Sequence, residues 1–164
     1  MAFPGPNVEG QTMTLEAVAP GAGSQLTGQQ LTLATLTVAG DVIVIPMPFK
    51  GRLDSYFFSV FAKATTAGKA ATLTAKVRTA GGVTTNMTGG VLALTSANCT
   101  PEGAAVQATA ITGNNKFNRG DSLVFTSSAI TAFSEGAGYF WLELVNDDTV
   151  DAISRSMSLF SVNP

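Results

Sequence analysis

The feature that most constrains the fold is the strict alternation of apolar and polar residues in short runs. Ala71, Leu73, Ala75 and Val77 alternate with threonine, lysine and arginine over residues 71–78. A period of two places the two sets of side chains on opposite faces of a β-strand, so this run predicts a half-buried strand. Turn-forming glycine, proline and asparagine separate it from similar runs, and no stretch keeps a helical period.

This pattern predicts about eight to ten short strands, which is typical of a sandwich or barrel. We therefore expect an all-β fold, an antiparallel two-sheet sandwich of jelly-roll-like type with extended N- and C-terminal segments. Residues 1–10 contain two prolines and two glycines and predict an arm. The sandwich domain would span residues 11–148. In residues 149–164 serine alternates with apolar residues, which predicts a last strand or a docking tail.

Two strands are predicted to be strongly aromatic. In residues 54–62, Tyr56, Phe58 and Val60 would line one face, while Phe57 and Phe61 would line the other. Two apolar faces indicate burial on both sides or one face offered to a partner. The next strand follows a short turn, so the two are expected to form a hairpin. Residues 139–145 form the second aromatic strand.

Four other segments have patterns that predict local structure. Residues 12–17 alternate cleanly as a first strand. Residues 29–38 shift phase, which a bulge near 34–35 or a strand covered on both sides would reconcile. Residues 42–45 are continuously β-branched or apolar, which predicts a buried central strand. Residues 101–106 could form one helical turn after Pro101.

Composition excludes many catalytic and metal sites. The chain of 164 residues has no histidine and only one cysteine, Cys99. Serine or cysteine triads that need histidine cannot form, nor can the usual zinc sites or an intrachain disulfide. We expect no enzyme, no cofactor and no metal.

Oxygen ligands remain as candidates for chemistry. A carboxylate pair could hydrolyse a glycoside, and Asp54 and Glu143 lie on the two aromatic strands. The favoured interpretation is that both face solvent. A denser cluster of oxygen ligands, which calcium could use, is formed by Asn146, Asp147, Asp148 and Asp151. Its spacing does not match an EF-hand loop, so a solvated turn is favoured.

Three short motifs are assigned to structure or to chance. Arg119-Gly120-Asp121 spells an integrin-type tripeptide, but Gly-Asp before a strand is ordinary turn chemistry. Asn86 and Asn98 each begin an N-glycosylation pattern, which matters only in a secretory pathway. The N-terminus lacks the basic and apolar regions of a signal peptide.

Charge and hydropathy limit the partners. Charged residues make up 12% of the chain, about half of the usual ~25%, and the formal net charge is −2. The nine Lys and Arg residues are dispersed, so we expect no nucleic-acid partner. No run approaches the ~18 apolar residues of a membrane span, so no membrane partner is expected. Two explanations of the low fraction of charged residues stay open. Much of the surface could be buried against copies of the same protein or a larger assembly, or the polar face could be built from Thr and Ser hydroxyls instead of charges.

The aromatic residues carry the largest apolar area, and we expect most of them in the core. The residues concerned are Tyr56, Phe57, Phe58, Phe61, Tyr139, Phe140 and Trp141. One tryptophan and two tyrosines are few for a carbohydrate-binding surface.

Across residues 41–146 a recurring order of elements carries a family resemblance. A segment with proline and glycine at 48–51 precedes an aromatic strand at 55–62, an Ala-rich turn at 65–70 and a Thr/Lys strand at 72–77. A Thr-Gly-Gly-Val-Leu strand at 88–92, a Gly-Asp strand at 120–125 and an apolar strand at 139–145 follow. This pattern resembles the β-sandwich decoration, or cement, proteins on the heads of tailed bacteriophages.

The resemblance implies a non-enzymatic structural protein of the virion. It would bind the major capsid protein lattice, often as a homotrimer, on the capsid surface of particles assembled in the host cytoplasm. Because a ligand of the assembled shell stabilises it by mass action, such a protein would strengthen the capsid. The arm and tail would carry much of the contact, through Phe3, Pro4, Pro6, Met157, Leu159 and Phe160.

Two other classes stay open from sequence. One is a carbohydrate- or receptor-binding module of a phage fibre, which predicts exposed aromatic residues. The other is a self-assembling shell subunit, which predicts particles from the pure protein.

Overall fold

The computed structural model describes residues 23–147. The predicted arm, the strand at 12–17 and the tail at 149–164 lie outside this range, and with them all six predicted contact residues. The described part has ten strands and one short 3-10 turn, Leu33–Thr35. The strands are β1 Gly23–Thr32, β2 Gly40–Pro46, β3 Gly51–Ala62, β4 Ala70–Arg78, β5 Thr84–Thr95, β6 Ala105–Gln107, β7 Ile111–Gly113, β8 Lys116–Phe117, β9 Ser122–Thr131 and β10 Ala137–Asn146.

The strands form two antiparallel sheets that pack face to face. Sheet I has the order β1-β10-β3-β6, with β8 also paired to β3, and sheet II has the order β2-β9-β4-β5-β7. The first strand pairs with the last, and the second with the last but one. This nested order is jelly-roll-like. The predicted all-β, two-sheet antiparallel sandwich is confirmed.

The core lies between the sheets and is centred on three aromatic rings. The rings are Tyr56 of β3, Phe140 of β10 and Phe125 of β9. The centroid of Tyr56 lies 5.0 Å from that of Phe125 and 5.4 Å from that of Phe140, and the two phenylalanine centroids are 4.8 Å apart. All three are fully buried. The Tyr56 hydroxyl donates to the carbonyl oxygen of Gly90 at 2.6 Å and lies 3.2 Å from that of Leu73. Burial raises the pKa of Tyr56, so this neutral phenol joins sheet I to sheet II.

A pair of glycines, Gly89 and Gly90, interrupts β5 at the carbonyl that accepts the Tyr56 hydrogen bond. Gly89 and Gly90 have φ of +80° and +60°, a region that side chains with a Cβ rarely adopt. A Cβ on Gly89 would collide with the carbonyl oxygen of Ala110. The pairing with β4 jumps here, from Thr74–Val91 to Lys76–Asn86. The resulting bulge turns the Gly90 carbonyl toward Tyr56.

Two predictions about strand placement are wrong. The strands at 54–62 and 71–78 form no hairpin, because β3 lies in sheet I and β4 in sheet II; they pair with β10 and β9 instead. Residues 42–45 are not a central strand either, because β2 is an edge of sheet II. Its Ile43 and Ile45 are buried while Val42 and Val44 are half-buried. A continuous apolar run therefore does not establish a central position.

Two irregular segments also differ from expectation. No strand runs through residues 29–38: β1 ends at Thr32, and the phase shift is the 3-10 turn Leu33–Thr35 rather than a bulge. The predicted helical turn at 101–106 is a hydrogen-bonded turn leading into β6. The half-buried pattern of β4 and both faces of β3 are as predicted.

Candidate functional site

The two carboxylates considered for glycoside hydrolysis do not form a matched pair. Asp54 is exposed and lies 3.8 Å from the Arg52 guanidinium. The register between β3 and β10 passes from Leu53 to Ser55 without it, which makes Asp54 the extra residue of a bulge. Glu143, opposite Ser55, accepts a hydrogen bond from the Ser55 hydroxyl at 2.8 Å. Each carboxylate therefore interacts with a neighbouring side chain of β3, Asp54 with Arg52 and Glu143 with Ser55, rather than with the other carboxylate.

Only half of the oxygen-ligand cluster is described. Asn146 is buried at the end of β10, and the Asp147 carboxylate lies 3.7 Å from Arg52. The Asp147 amide donates to the carbonyl of Lys50 at 2.9 Å. Asp148 and Asp151 lie outside the described residues. Within residues 23–147 no three metal-ligating side chains come together.

The Arg-Gly-Asp tripeptide is a structural turn, as predicted. Asp121 is buried, and its carboxylate accepts the backbone N–H of Asn118 at 2.7 Å and of Ala80 at 3.0 Å. Asn98 is likewise used in a turn, where its side chain bonds to Thr95 and Ala93.

The lone thiol lies in the core. Cys99 is fully buried, and burial raises the pKa of its thiol to about 11. Reactive cysteines need the thiolate form and access to solvent, and this residue has neither at neutral pH.

The aromatic residues divide between core and surface, which corrects the expectation that most of them are core. Tyr56, Phe58 and Phe140 are fully buried. The other four point away from the core on the outer face of sheet I and form what we call the aromatic patch: Phe57 and Phe61 of β3, Tyr139 and Trp141 of β10.

The patch is a continuous row of ring contacts. Trp141 pairs with Phe57 across the strands, with ring centroids 6.3 Å apart and planes only 23° apart. Tyr139 lies 5.8 Å from Trp141 and 5.2 Å from Phe61. Phe61 and Tyr139 remain 42% and 43% exposed. These contacts make the four rings one contiguous apolar row on the outer face of sheet I.

The edge strand β1 extends the patch. Gly28 lies opposite Trp141, and a Cβ there would come within 2.8 Å or less of three indole carbons. The indole therefore lies across the bare backbone of Gly28. The next outward residue, Leu26, is 60% exposed and lies opposite Glu143. The patch thus borders one exposed leucine and one carboxylate.

The outer face of sheet II has a different chemistry. Its outward side chains on β4 and β9 are mostly hydroxyls and basic groups: Thr72, Thr74, Lys76, Arg78, Ser122, Thr126 and Ser128. Asp41 of β2 forms an ion pair with Arg78 and accepts the Thr126 hydroxyl at 3.0 Å. Above all the hydrogen bond from Arg78 lowers the pKa of Asp41. This face is suited to water.

The chain enters and leaves the described sandwich at one place. Gly23, the first described residue, pairs with Asn146, at the end of β10. Both segments beyond the described residues therefore start side by side at one end of sheet I, which we call the exit end.

No family model, curated protein or solved structure matches the chain at a significant level. Within residues 23–147 nothing has the length and apolar character of a membrane-spanning helix. What the protein does is therefore inferred from its two outer faces and its exit end.

The sequence left open whether one face of the strand at 54–62 is offered to a partner, and favoured the core for most of the aromatic residues. The alternation in β3 placed Phe57 and Phe61 together, but a period of two does not say which face is covered. Residues 23–32 do not alternate, so the close approach at Gly28 becomes visible only from the pairing of β1 with β10.

Proposed function

We propose that the protein is a structural, non-enzymatic component of a phage virion that binds and stabilises the assembled capsid as a decoration protein. The observation that carries the proposal is the exit end. Because Gly23 and Asn146 are paired neighbours, both terminal segments can reach the same underlying surface while the sandwich stays outside. The predicted contacts Phe3, Pro4 and Pro6 lie on one of these segments, and Met157, Leu159 and Phe160 on the other.

The composition and the faces support this role. Only 12% of the residues are charged, and one outer face of the sandwich is apolar. Both features suit a protein whose surface is partly covered in its assembly. Its mechanism would be mass action: binding only the assembled shell stabilises each site by about 2.7 kcal/mol when free protein exceeds the dissociation constant ~100-fold. A homotrimer on the capsid lattice is the assembly that the family resemblance implies.

The experiment is saturation binding to undecorated phage heads. Purified protein is added, unbound protein is removed by sedimentation, and the number of bound copies and the temperature at which the heads release DNA are measured. We expect saturation at a fixed copy number and a higher release temperature. A full-length Phe3→Ser, Pro4→Ser, Pro6→Ser variant should saturate at higher concentration. Heads that bind no wild-type protein would refute the proposal.

The aromatic patch supports a second candidate, a carbohydrate- or receptor-binding module of a fibre. The stacked rings lie beside the Glu143 carboxylate. A sugar could pack its C–H groups against the rings and donate a hydroxyl hydrogen bond to the carboxylate. Saturable binding to a glycan array, lost in Trp141→Ala and retained in Lys69→Ala, would favour this candidate. A particle in the megadalton range from pure protein would instead favour a shell subunit.

A further inference from the structure

The edge strand β1 differs from the other sheet edges. It is ten residues long, contains no charged residue and no proline, and its register with β10 runs through ten residue pairs without a bulge. Unpaired backbone N–H and C=O groups along such an edge are a template for one further strand. Native sheets usually block an edge with a charge, a proline, a bulge or a short strand, and β1 has none of these devices.

The other edges of the described sandwich are blocked. β2, at the edge of sheet II, carries Asp41 in an ion pair with Arg78, a bulge between Asp41 and Ile43, and Pro46 as its last residue. β6 and β7 have three residues each, and β8 has two. Among residues 23–147, β1 is therefore the one long edge that none of these devices blocks, and β10 is the only strand paired with it there.

A second copy of the chain can match this edge only with its own β1. Two β1 strands that pair antiparallel about a twofold axis use each edge once, so the assembly closes at two copies. About nine facing residue pairs supply about eight to ten interchain hydrogen bonds, and a typical protein interface has about ten. Because β1 carries no charge, the two strands bring no like charges into contact.

The side chains select the register of such a pair. A twofold axis places one residue of β1 opposite its own copy, and only Thr27 or Gly28 at this position keeps nearly the whole strand paired. With Thr27 at the axis, Leu26 lies opposite Gly28 of the second copy, and the Trp141 indole lies across that bare backbone. The leucine, 60% exposed in one copy, would then be covered by the indole of the other. With Gly28 at the axis, Leu26 would face the exposed Gln30 instead.

We propose that the protein forms a homodimer in which β1 pairs antiparallel with β1 of a second copy, with Thr27 at the twofold axis. Each Leu26 packs beside the Trp141 indole of the other copy, and sheet I continues through both molecules. This inference goes beyond the proposed function and does not depend on it, because it concerns the free protein rather than its binding to heads. The homotrimer that the family resemblance implies would need a different contact.

The first experiment follows the mass and the fluorescence of the full-length protein over one concentration series. Sedimentation equilibrium measures the mass, and Trp141, the only tryptophan of the chain, reports on the contact. We expect a monomer–dimer equilibrium. The emission of Trp141 should move to shorter wavelength in step with dimer formation, because Leu26 of the second copy excludes water from the indole.

Leu26→Lys tests the contact itself. Leu26 is exposed and lies outside the core, so the variant should fold, which circular dichroism verifies. Each dimer would lose two buried leucines, so the dissociation constant should rise at least about tenfold and the shift in emission should disappear. Val83→Lys is the matched control, because Val83 is 65% exposed in the connection between β4 and β5. It should leave the dissociation constant within about twofold of wild type.

Thr27→Cys tests the register. Directly opposite residues of an antiparallel pair have Cβ atoms about 4.5–5.5 Å apart, close to the separation in a disulfide. With oxidised glutathione, Thr27→Cys should form a covalent dimer several-fold faster than Gln30→Cys, whose copies lie apart in this register. The native Cys99 is buried and does not take part. Equal rates for the two variants would overturn the register.

Three outcomes would overturn the dimer. A trimer or larger assembly in solution would place the interface elsewhere, as would a dimer whose dissociation constant is unchanged in Leu26→Lys. A monomer at every concentration would show that β1 does not pair with a second copy. Slow amide hydrogen exchange throughout β1 of that monomer would then assign the edge to another segment of the same chain.

Discussion

The two outer faces of the sandwich are built by the same alternation but are suited to different surroundings. On sheet I, β3 and β10 place Phe57, Trp141 and Tyr139 outward. On sheet II, β4 and β9 place threonines, serines and two basic residues outward. The outer face of sheet II is mainly polar: hydroxyls and the Asp41–Arg78 pair surround the few outward valines, Val44, Val91 and Val124. Sheet I leaves two aromatic rings exposed, Phe61 and Tyr139.

The difference shows where a contact surface can be sought on this sandwich. Both sheets bury their inner faces in one core, so the core does not distinguish them. Only the outward positions differ, and these are free to serve a partner.

The largest expected effect compares the inner and outer faces of one strand. Phe140→Ala removes a ring packed between Tyr56 and Phe125, and should cost about 3–5 kcal/mol of unfolding free energy. Its neighbour Trp141→Ala should cost only about 0.5–1.5 kcal/mol for the lost ring pairs. Chemical denaturation measures both. Equal losses would mean that the outer patch is as important to folding as the core.

The next comparison uses the two tyrosines. Tyr56→Phe removes the buried hydroxyl that serves Gly90 and leaves a carbonyl without its donor, at a cost of about 1–3 kcal/mol. Tyr139→Phe, on the exposed patch, should stay within about 0.5 kcal/mol of wild type. If Tyr139→Phe were the more damaging change, the assignment of inner and outer faces would be wrong.

A smaller effect is expected at Gly28. A Cβ there would meet the indole of Trp141, so Gly28→Ala should displace the ring, move its emission to longer wavelength and cost about 1 kcal/mol. Gly113→Ala is the matched control, because its Cβ would find contacts of 3.4 and 3.6 Å, ordinary van der Waals distances. Unchanged emission in Gly28→Ala would show that the indole does not lie over β1.

The smallest effect concerns the polar face. Asp41 and Arg78 are each about one-third exposed, at 36% and 35%, so Asp41→Asn should cost only about 0.2–1 kcal/mol. Since folding lowers the pKa of Asp41, its contribution is present above the unfolded value of about 3.9 and is lost as pH falls through the lower folded pKa. Thermal unfolding at pH 7 and pH 2 should therefore show a difference between wild type and variant only at pH 7. A difference that persists at pH 2 or in high salt would contradict this assignment.

Much of the fold followed from the period of two. The alternation of β4 and the two faces of β3 were predicted residue by residue, because local sterics and burial decide them. The one strand pairing that was predicted, a hairpin of β3 with β4, is wrong, because these strands are close in sequence but lie in different sheets. Strand pairing depends on contacts between distant residues, which a local pattern does not contain.

The candidate surface was only partly predictable. The residues of the aromatic patch were singled out, but most were expected in the core, since a large apolar side chain on a strand is usually buried. The exit end could not have been predicted, because it depends on the pairing of Gly23 with Asn146, residues that lie far apart in the sequence.

The central claim is that the outer face of sheet I is a contact surface that the rest of the chain or a partner covers. Hydroxyl-radical oxidation of the full-length protein bound to phage heads, read out by mass spectrometry, measures this directly by comparing Phe61 and Tyr139 with Val83, which is 65% exposed away from the patch. After normalisation to intrinsic reactivity, we predict that Val83 reacts in proportion to its exposure while Phe61 and Tyr139 are protected well beyond theirs. If Phe61 and Tyr139 oxidise in proportion to their 42% and 43% exposure, the face is open and the claim is wrong.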